Sequence, residues 1–340
     1  MKTIKVGLVG LGRLGFSHAK NIVQKIPQME LAAVCSVVPE ELERAKSAFN
    51  TPNLYSDYNE MLANKDLDAI MIASPSGFHC QQIQEAIIAG FHVFCEKPIG
   101  LTEDEINETI EVIKQHPNQK FMLGFMRRFD ESYQYAKELI NQGEIGEITV
   151  IRCYGIDPSS GLESFVNFSK NNNSGGIFAD MAIHDIDLIR WFTSQEVTQV
   201  WALGKNAAYP ELDEVGEIET GSAMMELENG TMALLVTGRN AAHGYHVETE
   251  IIGTKGMLRV GESPDKNLVT IYNEQGKIRP CSQNFPERFG PAFVNEMIAF
   301  SDCIINDTPS PITEIDGLKA TKIANACQES FNTKKLTSVN

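Results

Sequence analysis

Residues 5–18, Lys5-Val-Gly-Leu-Val-Gly-Leu-Gly-Arg-Leu-Gly-Phe-Ser-His18, decide the fold. The apolar run Ile4 to Val9 reads as a buried strand, and the segment after Gly12 reads as a helix. Gly10, Gly12 and Gly15 fall in the G-x-G-x-x-G pattern at the turn between them. Gly10 allows a tight turn, Gly12 lets a pyrophosphate approach the backbone, and Gly15 lets the helix pack against the strand. The unpaired N–H groups and positive dipole at the helix start then favour phosphate. The turn from Gly10 through Leu11, Gly12, Arg13 and Leu14 to Gly15 is therefore the expected dinucleotide cradle.

Working outward, short apolar runs recur at Leu31–Cys35, Ala69–Ala73, His92–Cys95 and Phe121–Leu123. Amphipathic segments separate them, at Glu40–Phe49, Cys80–Ala89 and Glu103–Ile113. Thr102 and Glu105 form a capping-box pattern before the last of these. This alternation predicts βαβ units and a doubly wound parallel sheet over residues 1–125. From 126 to 340 the pattern becomes mostly period-two strands, from Ile148–Tyr154 to Leu268–Tyr272, with turns at Glu228-Asn-Gly230 and Thr254-Lys-Gly256. The chain is thus expected to be α/β, with a Rossmann-type domain followed by an α+β domain built on a large, mostly antiparallel open sheet. Late helices at Phe293–Ile305 and Asp316–Ser330 cover that sheet or return to the first domain. The polar stretch Asn167–Gly176 is the expected mobile loop.

The 340 residues suffice for two domains. Twenty-nine basic against 45 acidic side chains leave a net charge of -16, so the chain lacks the basic surface that attracts nucleic acid or anionic lipid. Seven scattered cysteines show no C-x-x-C pair or zinc spacing and read as buried thiols in a reducing compartment. With no leader-like start and no apolar run of about 18 residues, the expected location is the cytoplasm.

A carboxylate about 20 residues past the fingerprint would bond the adenosine ribose and favour NAD. Ser36 occupies that place, Arg44 is the nearest basic residue, and Glu40, Glu41 and Glu43 oppose an anionic ligand. The expectation is NAD, with NADP as the alternative. Ser74-Pro75-Ser-Gly-Phe-His79 follows a strand and should flank the cofactor, with His79 alternatively a plain helix-start residue. Glu96-Lys97-Pro98 follows the next strand, at the sheet edge where open α/β folds bind ligands. Lys97 there can stabilise a developing alkoxide.

Asp180 and His184 lie four apart on a largely apolar helix expected over 177–192, with Asp187 nearly on the same face. His184 is a candidate general acid/base oriented by Asp180. A metal site of His184, Asp180 and Asp187, or a satisfied structural network, fits the same pattern. Arg127 and Arg128 follow another strand; Arg127 suits substrate hydroxyls or the nicotinamide end, and either arginine suits an interdomain ion pair. His243 and His246 suit a substrate contact from the sheet or a solvent-facing role.

Taken in order, GLGRLG, CEKP, GFMRR and DMAIHDID resemble the glucose-fructose oxidoreductase, inositol dehydrogenase and MocA family of NAD(P)-dependent oxidoreductases. CEKP with GFMRRFD, RCYGIDP and the D-x-x-x-H helix is most similar to bacterial inositol 2-dehydrogenases. The resemblance implies catalysis by Lys97, Asp180 and His184, with substrate contacts from these three and from Arg127, Asp157 and His243. Position in the sequence gives the cofactor contacts expected beside these: the glycine turn, Ser36, Ser74, Pro75, His79, Glu96 and Lys97, with Ser36 a departure from the NAD-dependent pattern of the family, where an aspartate is often found. The resemblance also implies a homotetramer, no metal, and oxidation of a cyclic polyol, myo- or scyllo-inositol, to an inosose. Oxidation of another sugar or aldose, an NAD-dependent glycoside hydrolase and a non-catalytic dinucleotide-binding regulator are the alternatives.

Overall fold

A computed structural model describes residues 3–49, 53–170, 174–262 and 264–339. Two compact units divide the chain, one of residues 1–129 with 291–319, the other of residues 130–290 with 320–340.

The first unit holds strands β1 (Ile4–Val9), β2 (Met29–Cys35), β3 (Asn53–Tyr55), β4 (Ala69–Ile72), β5 (His92–Glu96) and β6 (Phe121–Gly124). They form one parallel sheet in the order β3-β2-β1-β4-β5-β6. Helices α1 (Arg13–Lys25), α2 (Pro39–Phe49), α3 (Tyr58–Leu62), α4 (His79–Ile88) and α5 (Glu103–Gln115) make the crossovers. The sheet is the expected doubly wound one, with the short β3 added at its edge. Leu8, Val34, Ile70, Met71, Val93 and Phe94 are completely or almost completely buried, as strands covered on both faces require. Thr102 and Glu105 close a full capping box at the start of α5.

Strand order reverses at β1 and β4, which places the carboxyl ends of these two strands at the ligand crevice of such a fold. Gly10 sits there with φ +88°, and a Cβ on it would meet the backbone of Ala73 and Ser74 at 2.5 Å. A Cβ on Gly15 would overlap the Gly10 carbonyl oxygen. A Cβ on Gly12 would meet nothing within 4 Å. The three glycines therefore do three different things: one turns the chain, one lets helix and turn touch, and one leaves open space.

In the second unit, α6 (Glu131–Asn141) leads into β7 (Ile148–Pro158), followed by α7 (Leu162–Ser169) and α8 (Ile183–Thr193). Strands β8 (Val197–Lys205), β9 (Thr220–Leu227), β10 (Met232–Ala241), β11 (His246–Gly253) and β12 (Met257–Val260) follow. A small hairpin of β13 (Ile271–Asn273) and β14 (Gly276–Ile278) replaces the single strand expected at 268–272. Helices α9 (Phe285–Ile305) and α10 (Glu314–Thr333) run through both residue sets, their residues 291–305 and 314–319 belonging to the first unit, and the short β15 (Thr337–Ser338) follows in the second. The large sheet has the order β12-β11-β7-β10-β9-β8-β15 and is antiparallel except for the β10–β7 pair.

One face of this sheet is core. Ile151, Cys153, Leu235, Thr249 and Ile251 are buried on it. Tyr133 of α6 lies there too, stacked on Phe289 with centroids 6.5 Å apart and hydrogen-bonded to Thr249 at 3.1 Å. The opposite face exposes Trp201, Leu203, Met224 and Met232. Of the stretch 167–176, residues up to Ser169 belong to α7, and residues 171–173 lie outside the described residues.

Gly15→Ala places a methyl against a backbone carbonyl that no rotamer change can relieve. It is expected to cost about 1–3 kcal/mol, read as a lowered urea midpoint with an unchanged slope, whereas Gly12→Ala changes stability by less than about 0.5 kcal/mol beyond the difference in helix-cap preference.

Candidate active site and dinucleotide cradle

In the first unit, α1 starts at Arg13 with Gly12, which makes no side-chain cap bond, as its N-cap. The first-turn amides, with the open space over Gly12, fit the pyrophosphate of a dinucleotide. The turn is tied to its neighbours by Gly10 N–H to Cys35 O at 2.9 Å and Ala73 N–H to Val9 O at 2.9 Å. Leu11 is fully buried and its carbonyl accepts from Arg44. Leu14 is half-buried and Arg13 is exposed.

Ser74 and Pro75 follow β4 as expected, and the Ser74 hydroxyl donates to Gln82 at 2.5 Å. His79 is only 1 % exposed. Its Nδ1 lies 2.7 Å from Pro98 O and its Nε2 2.9 Å from Ser74 O. It therefore links the loop after β4 to the Lys97–Pro98 loop after β5, whose peptide bond is cis. Burial pushes the His79 pKa down, against the pull of the two carbonyl oxygens and the Glu96 charge.

Glu96 is buried at the end of β5, where its Oε2 accepts the Lys97 backbone N–H at 3.3 Å and its Oε1 lies 2.6 Å from Nε2 of fully buried His18. Glu296 of α9, also fully buried, completes a trio whose donor atoms lie within 4.8 Å of one another. Burial and the charge of Glu96 hold the Glu296 carboxyl well above the usual carboxylate range, so a proton on Glu296 is the simplest way this interior avoids two adjacent charges. Glu96 thus faces inward, and Lys97, half-buried, is the member of the pair on the loop. Arg127 is buried, and Arg128 pairs with Asp316 at 3.0 Å inside the same unit. That ion pair joins the segment after β6 to the start of α10 within the unit.

In the second unit, the helix expected over 177–192 is π-wound from Phe178 to Ala182 and α-helical only from Ile183 to Thr193. A π turn widens the spacing of hydrogen bonds and is frequent at functional sites. Asp180 is on the π turn and His184 is in the first turn of α8. Arg239 of β10 donates to Asp180 Oδ2 at 2.6 Å, and its guanidinium lies 3.5 Å from the Phe165 ring centroid. Sequence reasoning passed over Arg239. An arginine inside an otherwise apolar strand was the available signal. Glu217 lies near this pair, its pKa raised by burial against the opposing effects of Ser174 and Arg239.

Asp157 ends β7 beside the β10 residues that carry Arg239, because the parallel register sets Ile156 against Gly238 and Pro158 against Ala241. β11 brings His246 opposite Ile156. His243 is exposed, with its Nε2 3.0 Å from His246 Nδ1, and His246 Nε2 is 3.4 Å from Glu248. Asp157, Asp180, Arg239 and His243 thus collect at or near one end of the β7–β10–β11 sheet. The donor atoms of His184, Asp180 and Asp187 do not gather within 4.8 Å, so the trio does not form the metal cluster its spacing allowed. Among the described residues only His18, Glu96 and Glu296 do so.

A doubly wound unit with a glycine turn, followed along the chain by a unit built on an open, mostly antiparallel sheet, is the arrangement of a dinucleotide-dependent oxidoreductase. Residues 4–125 match the oxidoreductase family with an NAD-binding Rossmann fold, and residues 133–259 match the GFO/IDH/MocA C-terminal domain. The chain belongs to this GFO/IDH/MocA oxidoreductase family, and its first unit is an NAD-binding Rossmann domain.

It is 59% identical to scyllo-inositol dehydrogenase from Lactobacillus casei, whose crystal structure holds NAD(H) and scyllo-inositol. The match covers 99% of each chain with a TM-score of 0.97. It is 47% identical to myo-inositol 2-dehydrogenase from Lactobacillus plantarum over 100% of both chains, TM-score 0.98. An uncharacterized oxidoreductase of Bacillus subtilis, YrbE, is 34% identical over 97% of this chain and 95% of its own.

Because the folded pKa of His79 lies below its ordinary value of about 6.5, the unfolded chain binds the extra proton first. Its contribution to stability is present above about pH 6.5 and is lost as pH falls below that value. His79→Gln is expected to lower stability at pH 8 and to flatten the stability profile between pH 7 and 5, checked by urea denaturation at each pH.

Proposed function

We propose that this chain is an NAD-dependent inositol dehydrogenase, oxidising one ring hydroxyl of scyllo- or myo-inositol to the ketone of an inosose. The observation that carries this reading is the 59% identity, end to end, with a scyllo-inositol dehydrogenase whose structure holds both NAD(H) and scyllo-inositol. The glycine turn supports the same reading, since its open space and the first-turn amides of α1 fit the pyrophosphate.

In this reading His184 takes the proton of the reacting hydroxyl as general base. Lys97, on the loop after β5, is the hydrogen-bond donor that stabilises a developing oxyanion. Asp180, fixed by Arg239, holds His184 or a neighbouring hydroxyl. Arg127, Asp157 and His243 bind the remaining hydroxyls. Bound NAD supplies the hydride acceptor. The residues themselves handle only protons and orientation.

The outer sheet face belongs to this proposal as well. Trp201 and Met224 sit directly opposite each other on β8 and β9, and both are exposed with Leu203 and Met232. An apolar face of this kind supports association of the open sheets in a homotetramer. Cytoplasmic work fits seven free thiols, six of them buried.

Purified protein incubated with scyllo-inositol, myo-inositol, other inositols and aldoses is expected to accumulate NADH with an inositol as preferred substrate. An aldose preference moves the assignment to a sugar dehydrogenase, and turnover of glycosides without net NADH moves it to a hydrolase. Lys97→Met is expected to lower kcat by about 10²-fold or more while NADH binding stays within about threefold. An equal loss of NADH affinity removes Lys97 from the chemical step.

A further inference from the structure

We propose that Glu41 sets the choice of NAD over NADP, acting with Ser36 at the adenosine-ribose end of the glycine turn. The inference rests on the reading that the first unit takes up a dinucleotide, and it names which of this chain's residues select between the two forms.

In a doubly wound sheet the residue after the second strand faces the adenosine ribose, and a carboxylate there accepts from the 2′-hydroxyl. Here that residue is Ser36. It is attached to the cradle by adjoining backbone bonds, Gly10 N–H to Cys35 O at 2.9 Å and Ser36 N–H to Tyr55 O at 3.1 Å. A neutral serine alone discriminates poorly, since it can bond a ribose hydroxyl or a phosphate oxygen.

Helix α2 supplies the missing carboxylate. Ser36 Oγ donates to Glu41 Oε2 at 2.6 Å, and the Val38 N–H donates to Ser36 Oγ at 3.1 Å. The only hydroxyl proton of Ser36 is thereby directed at Glu41, and what Ser36 and Glu41 offer an incoming group is acceptor oxygen. A 2′-hydroxyl is a donor and is complementary to that pair. A 2′-phosphate has only acceptor oxygens and about -1.5 to -2 charges near neutrality. It would meet a committed hydroxyl and a like-charged carboxylate, a repulsive element of the kind that selects between partners.

The cation that would offset this repulsion is held elsewhere. Arg44, one turn along α2 from Glu41, donates to the Leu11 carbonyl and lies 4.2 Å from the Phe16 ring centroid. The Ser36–Glu41 pair is buried on one side, with Ser36 6 % exposed and Glu41 half-buried, which limits screening by water. Glu40 and Glu43 are exposed on the same helix and carry the same charge. They serve as built-in controls for charge without contact.

The test is titration of NADH and NADPH by protein-quenched fluorescence or calorimetry, on wild type, Glu41→Gln, Glu41→Ala, Ser36→Ala and Glu43→Gln, each with a thermal melt. Wild type is expected to bind NADH about 100-fold or more tighter than NADPH. Both Glu41 variants are expected to shrink that ratio about tenfold or more, largely through tighter NADPH binding, a gain that misfolding cannot produce. Ser36→Ala is expected to weaken NADH severalfold while NADPH stays excluded by Glu41. Glu43→Gln is expected to change the ratio less than about twofold.

An unchanged ratio in the Glu41 variants overturns the proposal, and so does an equal change in Glu43→Gln, which would mean that net charge alone acts. Wild-type protein that binds neither nucleotide overturns the dinucleotide reading itself, an outcome distinct from NADH binding with an unaltered preference.

Discussion

The close approach of backbone to backbone at Gly10 and Gly15 is the constraint on which the first unit depends. A Cβ at either position would occupy space already filled by the Ala73–Ser74 backbone or by the Gly10 carbonyl. Removing both side chains lets β1, β4 and the start of α1 converge at the point where strand order reverses. Convergence leaves α1 to start at a glycine that makes no side-chain cap bond, with the space over Gly12 open. The same constraint fixes where β2 ends relative to the turn, through Gly10 N–H to Cys35 O. Ser36 and Glu41 take their places from that bond.

Around this turn the polar interior is organised to support loops. His79 spans the loops after β4 and β5 with two carbonyl contacts. Glu96 holds the Lys97 amide from one side and meets His18 on the other. Buried groups of this kind are stable only when their bonds are satisfied or their charge is removed. A raised pKa at Glu296 and a lowered one at His79 both express that rule. In the second unit Arg239 of β10 pairs with the Asp180 carboxylate and so ties the π turn to the sheet.

Much of the fold was legible because it is written in local pattern. The glycine spacing placed the turn, and alternation of apolar runs with amphipathic segments placed five of the six parallel strands. The three-residue β3 was too short and too polar to stand out. The helix over 177–192 was legible in its apolar content, but not in its winding, since π hydrogen bonds at 178–182 leave no periodic signature over one turn. The pairing of Arg128 with Asp316, 188 residues away, has no counterpart in sequence spacing.

Residue types and spacings by themselves determined that a dinucleotide cradle begins at Gly10, that Lys97 follows a sheet strand, and that Asp180 and His184 share a helical segment. Each of these is a property of a few consecutive residues and of the dihedral angles they allow. Tertiary structure alone decided the partners: Glu41 for Ser36, Arg239 for Asp180, and His18 with Glu296 for Glu96. Asp180 and Arg239 are 59 residues apart and His18 and Glu96 are 78 apart. Sheet register and helix packing bring such pairs within hydrogen-bond reach, and no local pattern encodes them. Even Ser36 and Glu41, five residues apart, meet only because the chain turns from β2 into α2 between them. That turn converts a neutral serine, ambiguous in sequence, into part of an acceptor pair.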